Sequence, residues 1–161
     1  MKLKLLVAGL VLTTAFTSCS KDEVTNPSDD ATLKTATVIG KIKANYDLRN
    51  DDPTLTLEAV SGVEVIATMA GEDQVYNSDP NYEYPAISYT TTTDANGEFS
   101  ITVELLEKGT KVFFQFSDVY LDKQRDGGGT DVDVEFSKIG GNLSVDLVPG
   151  QTVIEEVLFN D

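Results

Sequence analysis

Histidine and tryptophan are absent, cysteine occurs once, methionine twice, and 12 lysines and arginines stand against 27 aspartates and glutamates. Without histidine the chain can build neither a Ser-His-Asp triad nor an imidazole general base. A single cysteine excludes an intramolecular disulfide and a Cys/His zinc site. No Gly-x-Ser-x-Gly elbow and no phosphate-cradling glycine loop occurs. A pair of carboxylates working as in glycosidases is the catalytic arrangement that composition leaves open. The deep cleft it needs is hard to build from a chain of 161 residues, so no enzyme is expected. The formal net charge of −15 repels nucleic acid and anionic headgroups and favours solubility. Long helical periods are missing, while threonine, valine and aromatic residues are frequent, which points to strands.

Apolar runs are short, and the longest stands at the start. Lys2 and Lys4 precede Leu5-Leu6-Val7-Ala8-Gly9-Leu10-Val11-Leu12, and small residues follow up to Cys19. A charged start, a short apolar segment and small residues before a cut site are what a secretory signal requires. The run falls short of the roughly 20 residues that span a bilayer. Phe16-Thr17-Ser18-Cys19 resembles the bacterial lipobox, with Phe16 where leucine or valine is usual. That resemblance implies cleavage before Cys19 and acylation of its thiol. Several acyl chains on one residue exceed what stable membrane anchoring needs. Ser20 beside the cysteine looks like an outer-membrane address, and Lys21-Asp22-Glu23 resembles the acidic surface-export tether of Bacteroidetes lipoproteins. Three parts are expected: a signal over 1–18, a lipidated N-terminus and linker over 19–35, and a single domain over 36–161.

The linker reading rests on Asn26-Pro27-Ser28-Asp29-Asp30, which is polar, rich in breakers and without period. Beyond it come short alternating segments separated by turn residues, the pattern of a β-sandwich. Val38, Ile42, Ala44 and Tyr46 share one side of the first, with Lys41 and Lys43 opposite. Val63, Val65, Ala67 and Met69 repeat that parity, and Ser88–Thr93 reads as a β-branched edge strand. Phe99, Ile101, Val103 and Leu105 form the cleanest inward set. In 111–121 the parity switches after Phe116, which a bulge near Ser117 or Asp118 would explain. Val132, Val134 and Phe136 come next, then Leu143, Val145 and Leu147, a Pro149-Gly150 turn, and Val153–Phe159. Asn96-Gly97 and Lys108-Gly109 suit hairpin turns.

Gly40-Lys41-Ile42, Gly62-Val63-Glu64-Val65-Ile66-Ala67 and Thr93-Asp94-Ala95-Asn96-Gly97-Glu98-Phe99 together resemble the carboxypeptidase regulatory-like domains. The likeness covers roughly residues 37–105 and is carried mainly by the Thr-Asp-x-x-Gly-x-Phe piece. It implies an all-β, transthyretin-like (immunoglobulin-like) antiparallel sandwich of about seven to eight strands, and a non-catalytic supporting module. The stretch from Asp47 to Ser61 is longer than the family's usual first loop.

Two constellations could bind. Asp126, Asp131 and Asp133 flank Gly127-Gly128-Gly129, and carboxylates around a flexible loop suit calcium; a solvated hairpin tip would look the same. No other cofactor is implied. Tyr76, Tyr82 and Tyr84 cluster among proline, asparagine and aspartate. Such rings can stack on sugar, or fold back to cap a core. The functional expectation is a non-catalytic, surface-exposed lipoprotein module, held to the outer membrane through Cys19, that presents loops to an extracellular or envelope partner. A glycan-binding module using the three tyrosines and a small fimbrial or adhesive subunit are the alternatives. The subunit reading predicts a vacant groove beside a terminal strand; the chain offers no obvious exchangeable terminal strand.

Overall fold

In the computed structural model the described residues are 33–46, 57–124, 130–140 and 142–161, and within them alternation becomes burial. Strand β1 (Lys34–Ala44) buries Ala36, Val38, Ile42 and Ala44 and turns Lys41 and Lys43 towards solvent. A two-residue strand, β2 (Glu58–Ala59), follows, then β3 (Glu64–Met69), a 3-10 turn over Gly71–Gln74, and β4 (Ile87–Thr92). The remainder is β5 (Glu98–Leu105), β6 (Thr110–Phe116), β7 (Val119–Lys123), β8 (Val132–Lys138), β9 (Leu143–Leu147) and β10 (Thr152–Asn160).

These strands form two sheets. One runs β2-β1-β10-β8-β7, with β5 also paired to β1; the other runs β4-β3-β6-β9. Their inner faces enclose one core, in which Phe99 packs its ring against Phe114 and Phe116, and Phe116 meets Phe159 edge-on at 6.3 Å. The architecture is the expected immunoglobulin-like β-sandwich, with β4 on an edge as its β-branched composition suggested.

Three details differ from expectation, and each has a physical reason. The pairing is not wholly antiparallel: β1 and β10 run parallel, from Thr37 opposite Thr152 to Ala44 opposite Phe159. The parity switch after Phe116 is a change of sheet, not a bulge. Strand β6 faces the core from the second sheet, and β7 presents Val119 and Leu121 to it from the first. Asn96-Gly97 and Lys108-Gly109 turn the chain as foreseen, but neither closes a hairpin. Strands β4 and β6 belong to the second sheet, whereas β5, between them, pairs with β1 in the first.

Two glycines permit close approaches between β1 and the start of β5. Gly97 adopts a φ of 71°, a region glycine enters without steric cost. A Cβ there would stand 2.5 Å from the carbonyl oxygen of Ile42. Gly40 lies opposite Phe99, whose ring covers it so closely that a Cβ would be 2.1 Å from Cζ.

Candidate functional site

The strand directions define two poles, and they carry different chemistry. At the N-terminal pole lie Leu33, the start of β1, the Leu106–Gly109 turn, the Pro149-Gly150 turn and the long loop after β3. Gly150 donates to the carbonyl of Thr35 at 2.8 Å, and Lys34 Nζ meets Glu107 Oε1 at 2.5 Å. Lys108 Nζ reaches the carbonyl of Val75 at 3.3 Å, and Thr110 Oγ1 bonds Asp73 Oδ2 at 2.5 Å. Those last two contacts fix the base of the tyrosine loop.

Asp79 organises that loop. Its carboxylate accepts the backbone and side-chain N–H of Asn81 at 2.9 and 3.1 Å, and its carbonyl accepts the Tyr82 N–H. The backbone N–H of Asp79 donates to the Tyr84 hydroxyl at 2.9 Å. A short polar side chain closing on its own backbone is what makes Asp a turn former. Tyr84 is thereby pinned and half-buried, while Tyr76 and Tyr82 remain 50% and 61% exposed. The Tyr82 and Tyr84 rings meet edge to face, 4.7 Å apart and inclined at 69°. The three tyrosines therefore share a loop without forming one flat platform. Tyr76 lies close enough to Lys34 to add slightly to the upward shift of its ammonium, a shift caused chiefly by the Glu107 hydrogen bond.

The far pole is acidic. Strand β8 pairs with β10 only at Lys138 opposite Phe159 and Ser137 opposite Asn160, so the β7–β8 hairpin projects beyond the end of β10. Gln124 donates to the Tyr46 carbonyl at 2.9 Å, Tyr46 packs edge-on to Phe136, and Lys123 Nζ holds Asp161 at 2.6 Å. Asp122 stands opposite Asp133, and Tyr120 opposite Glu135. The Tyr120 hydroxyl donates to Glu135 Oε2 at 3.0 Å. That hydrogen bond, and the neighbouring negative charge, push the phenol above its ordinary range. Of the calcium candidates, Asp131 and Asp133 are exposed, and Asp126 lies outside the described residues. No group of three potential ligands converges among the described residues. Cys19 likewise lies outside them.

A cleft of about 450 Å³ opens between β6 and the end of β8. Glu64, Asp118 and Lys138 line it beside Phe114 and Phe116, with both carboxylates on its exposed rim.

One surface escaped the sequence reading. On the outer face of the first sheet Ile39 lies opposite Ile154, and Ile154 is 79% exposed. Among the described residues no strand pairs with the outer edge of β10 between Thr152 and Val157. The available signal was an isoleucine out of phase with Val153 and Val157 in the last segment.

No family model matches the chain, and no curated protein resembles it in sequence. Among solved structures it is similar to the shaft pilin SpaA from Lactobacillus rhamnosus GG. The identity is 12% and the TM-score 0.45, over 78% of this chain and 49% of the pilin. A double mutant of that pilin aligns at 11% identity and a TM-score of 0.42, covering 80% and 51%. The chain thus spans about half the length of the pilin structures it matches.

Proposed function

We propose that this protein is a non-catalytic, surface-exposed lipoprotein module of the outer membrane, anchored through Cys19, whose sandwich holds loops towards an envelope partner. The observation that carries this reading is the tyrosine loop: Tyr84 and Asp79 brace it internally, and Tyr76 and Tyr82 are left to solvent. Loops positioned by a rigid scaffold are where binding residues concentrate. Tyrosine suits that role, having an apolar body and a polar tip. The loop shares its pole with the start of β1. A tether from Cys19 to Leu33 would leave from that same pole and, fully extended, reach on the order of 50 Å. The loop then faces back towards the membrane, which favours a partner within the envelope.

The test is a comparison in intact cells. Cys19→Ala should abolish incorporation of labelled palmitate and retention in the membrane fraction. Tyr76→Ala with Tyr82→Ala should leave lipidation and the melting temperature nearly unchanged while reducing crosslinking to the partner. Unchanged palmitate labelling in Cys19→Ala would end the lipoprotein reading. A large loss of stability in the tyrosine variant would move those rings into the core. Binding of the purified protein to an arrayed glycan, lost in the same variant, would identify the partner as sugar.

A further inference from the structure

Strand β10 leaves a row of backbone groups without a strand partner among the described residues. Its inner edge is paired to β1 from Thr152 to Phe159. Its outer edge is taken by β8 only at Phe159 and Asn160, after which the chain departs at Ile139, whose N–H bonds the Leu158 carbonyl at 2.8 Å. From Thr152 to Val157 the outer edge is open among the described residues. Unpaired edges template strand addition unless something blunts them.

What stands at this edge is selective. On the outer face Ile154 is exposed beside Ile39, over a shallow groove of about 390 Å³ that Lys41, Glu98 and Glu156 also line. Glu155 shares the inner-face parity of Val153 and Val157, opposite Gly40, and enters no ion pair among the described residues. The neighbouring lysines are already engaged: Lys41 with Glu98 at 3.3 Å and Lys43 with Glu156 at 2.6 Å. A carboxylate pointing inward on an edge strand repels another acidic edge. The formal charge of −15 per chain opposes pairing with a second copy in the same way. The same carboxylates attract a cationic strand.

We propose that the open edge of β10 from Thr152 to Val157 is a strand-docking site for a protein partner. The partner donates an extended segment with lysine or arginine opposite Glu155 and Glu156 and β-branched residues opposite Val153 and Ile154. The segment runs antiparallel to β10, continuing the line that β8 leaves. Main-chain hydrogen bonds supply adhesion and the alternating side chains supply selectivity, as in other β-strand additions. This inference is independent of the lipid anchor and of the tyrosine loop.

A direct probe is the acetylated, amidated peptide Thr-Val-Lys-Lys-Val-Val-Thr, with Thr-Val-Glu-Glu-Val-Val-Thr as its charge-reversed partner. Amide chemical shifts of the purified full chain are followed on titration. The lysine peptide should bind, shift amides along β10, and weaken as salt is added, while the glutamate peptide should not bind. Replacing both acids (Glu155→Lys with Glu156→Lys) should invert that preference by on the order of tenfold or more in each direction. The inversion reads charge recognition even if the substitutions cost some stability. Absence of binding, equal binding of both peptides, or shifts away from β10 would overturn the proposal. So would a dimer of the unliganded chain that Ile154→Lys dissociates, because the edge would then belong to a second copy.

Discussion

Thr93 shows how one side chain can join three segments. It is 5% exposed; its hydroxyl donates to the carbonyl of Val60 at 2.9 Å and accepts the N–H of Val63 at 3.0 Å. Its backbone exchanges two further hydrogen bonds, with Gly62 and Val63. A buried polar group with both partners satisfied is nearly neutral, whereas orphaning the partners costs about 1–3 kcal/mol. Thr93→Val keeps the shape and removes the hydroxyl, so it should destabilise by about that amount in a urea melt, and Thr93→Ser should recover most of it. Equal loss in both variants would mean that the methyl group, and not the hydroxyl, is what matters. One residue on, Asp94 accepts the N–H groups of Glu98 and Asn96, each at 2.8 Å. The Glu98 bond is the main reason its carboxyl lies below the usual range. A depressed folded value means that the stabilisation is complete above about pH 4. It then fades as pH falls through the depressed value. Asp94→Asn should therefore be less stable than the parent at neutral pH, with the difference closing in acid. A pH-independent difference in melting temperature would show that the charge plays no part.

At the scale of elements, parity was legible and partnership was not. Val63, Val65, Ala67 and Met69, or Phe99 through Leu105, announce their inward faces because a strand has a period of two and a half-buried sheet must alternate. That signal is local. Asn96-Gly97 reverses the chain for reasons written in its own side chains and in the positive φ of Gly97, but reversal alone does not say which sheet receives the next strand. The choice was made at a distance: Gly40 is bare, so the Phe99 ring can lie over β1, and β5 joins the first sheet. The parallel union of β1 and β10 links the two ends of the domain in the same non-local way. The tyrosine loop could be found from composition, whereas the brace of Tyr84 on Asp79, and hence which rings stay free, depends on loop geometry. The edge of β10 that stays unpaired among the described residues was invisible because pairing is a property of neighbours. Only Ile154, exposed in an otherwise alternating strand, hinted at it.

For the whole molecule the dominant electrostatic fact is imbalance. The ion pairs along the first sheet, such as Lys41–Glu98 and Lys43–Glu156, are largely solvent-exposed, and pairs of that kind contribute between about 0 and 1 kcal/mol. Against them stands a formal charge of −15 over the 161-residue chain, with Asp122 facing Asp133 at the far pole. Self-repulsion of that size destabilises the compact state. Salt screens exposed pairs and repulsion alike, so the sign of its effect reports which is larger. Raising sodium chloride from about 20 mM to about 0.5 M, which shortens the screening length several-fold, should raise the melting temperature. A fall would mean that the ion pairs outweigh the imbalance. Divalent ions sharpen the test at the Asp131 and Asp133 end of the hairpin. Diffuse screening by an acidic surface treats magnesium and calcium alike, so equal increments at matched ionic strength are the expected outcome. A bound ion acts instead by mass action on the native state. An increment specific to calcium that disappears in Asp131→Asn would therefore establish a site at the hairpin tip.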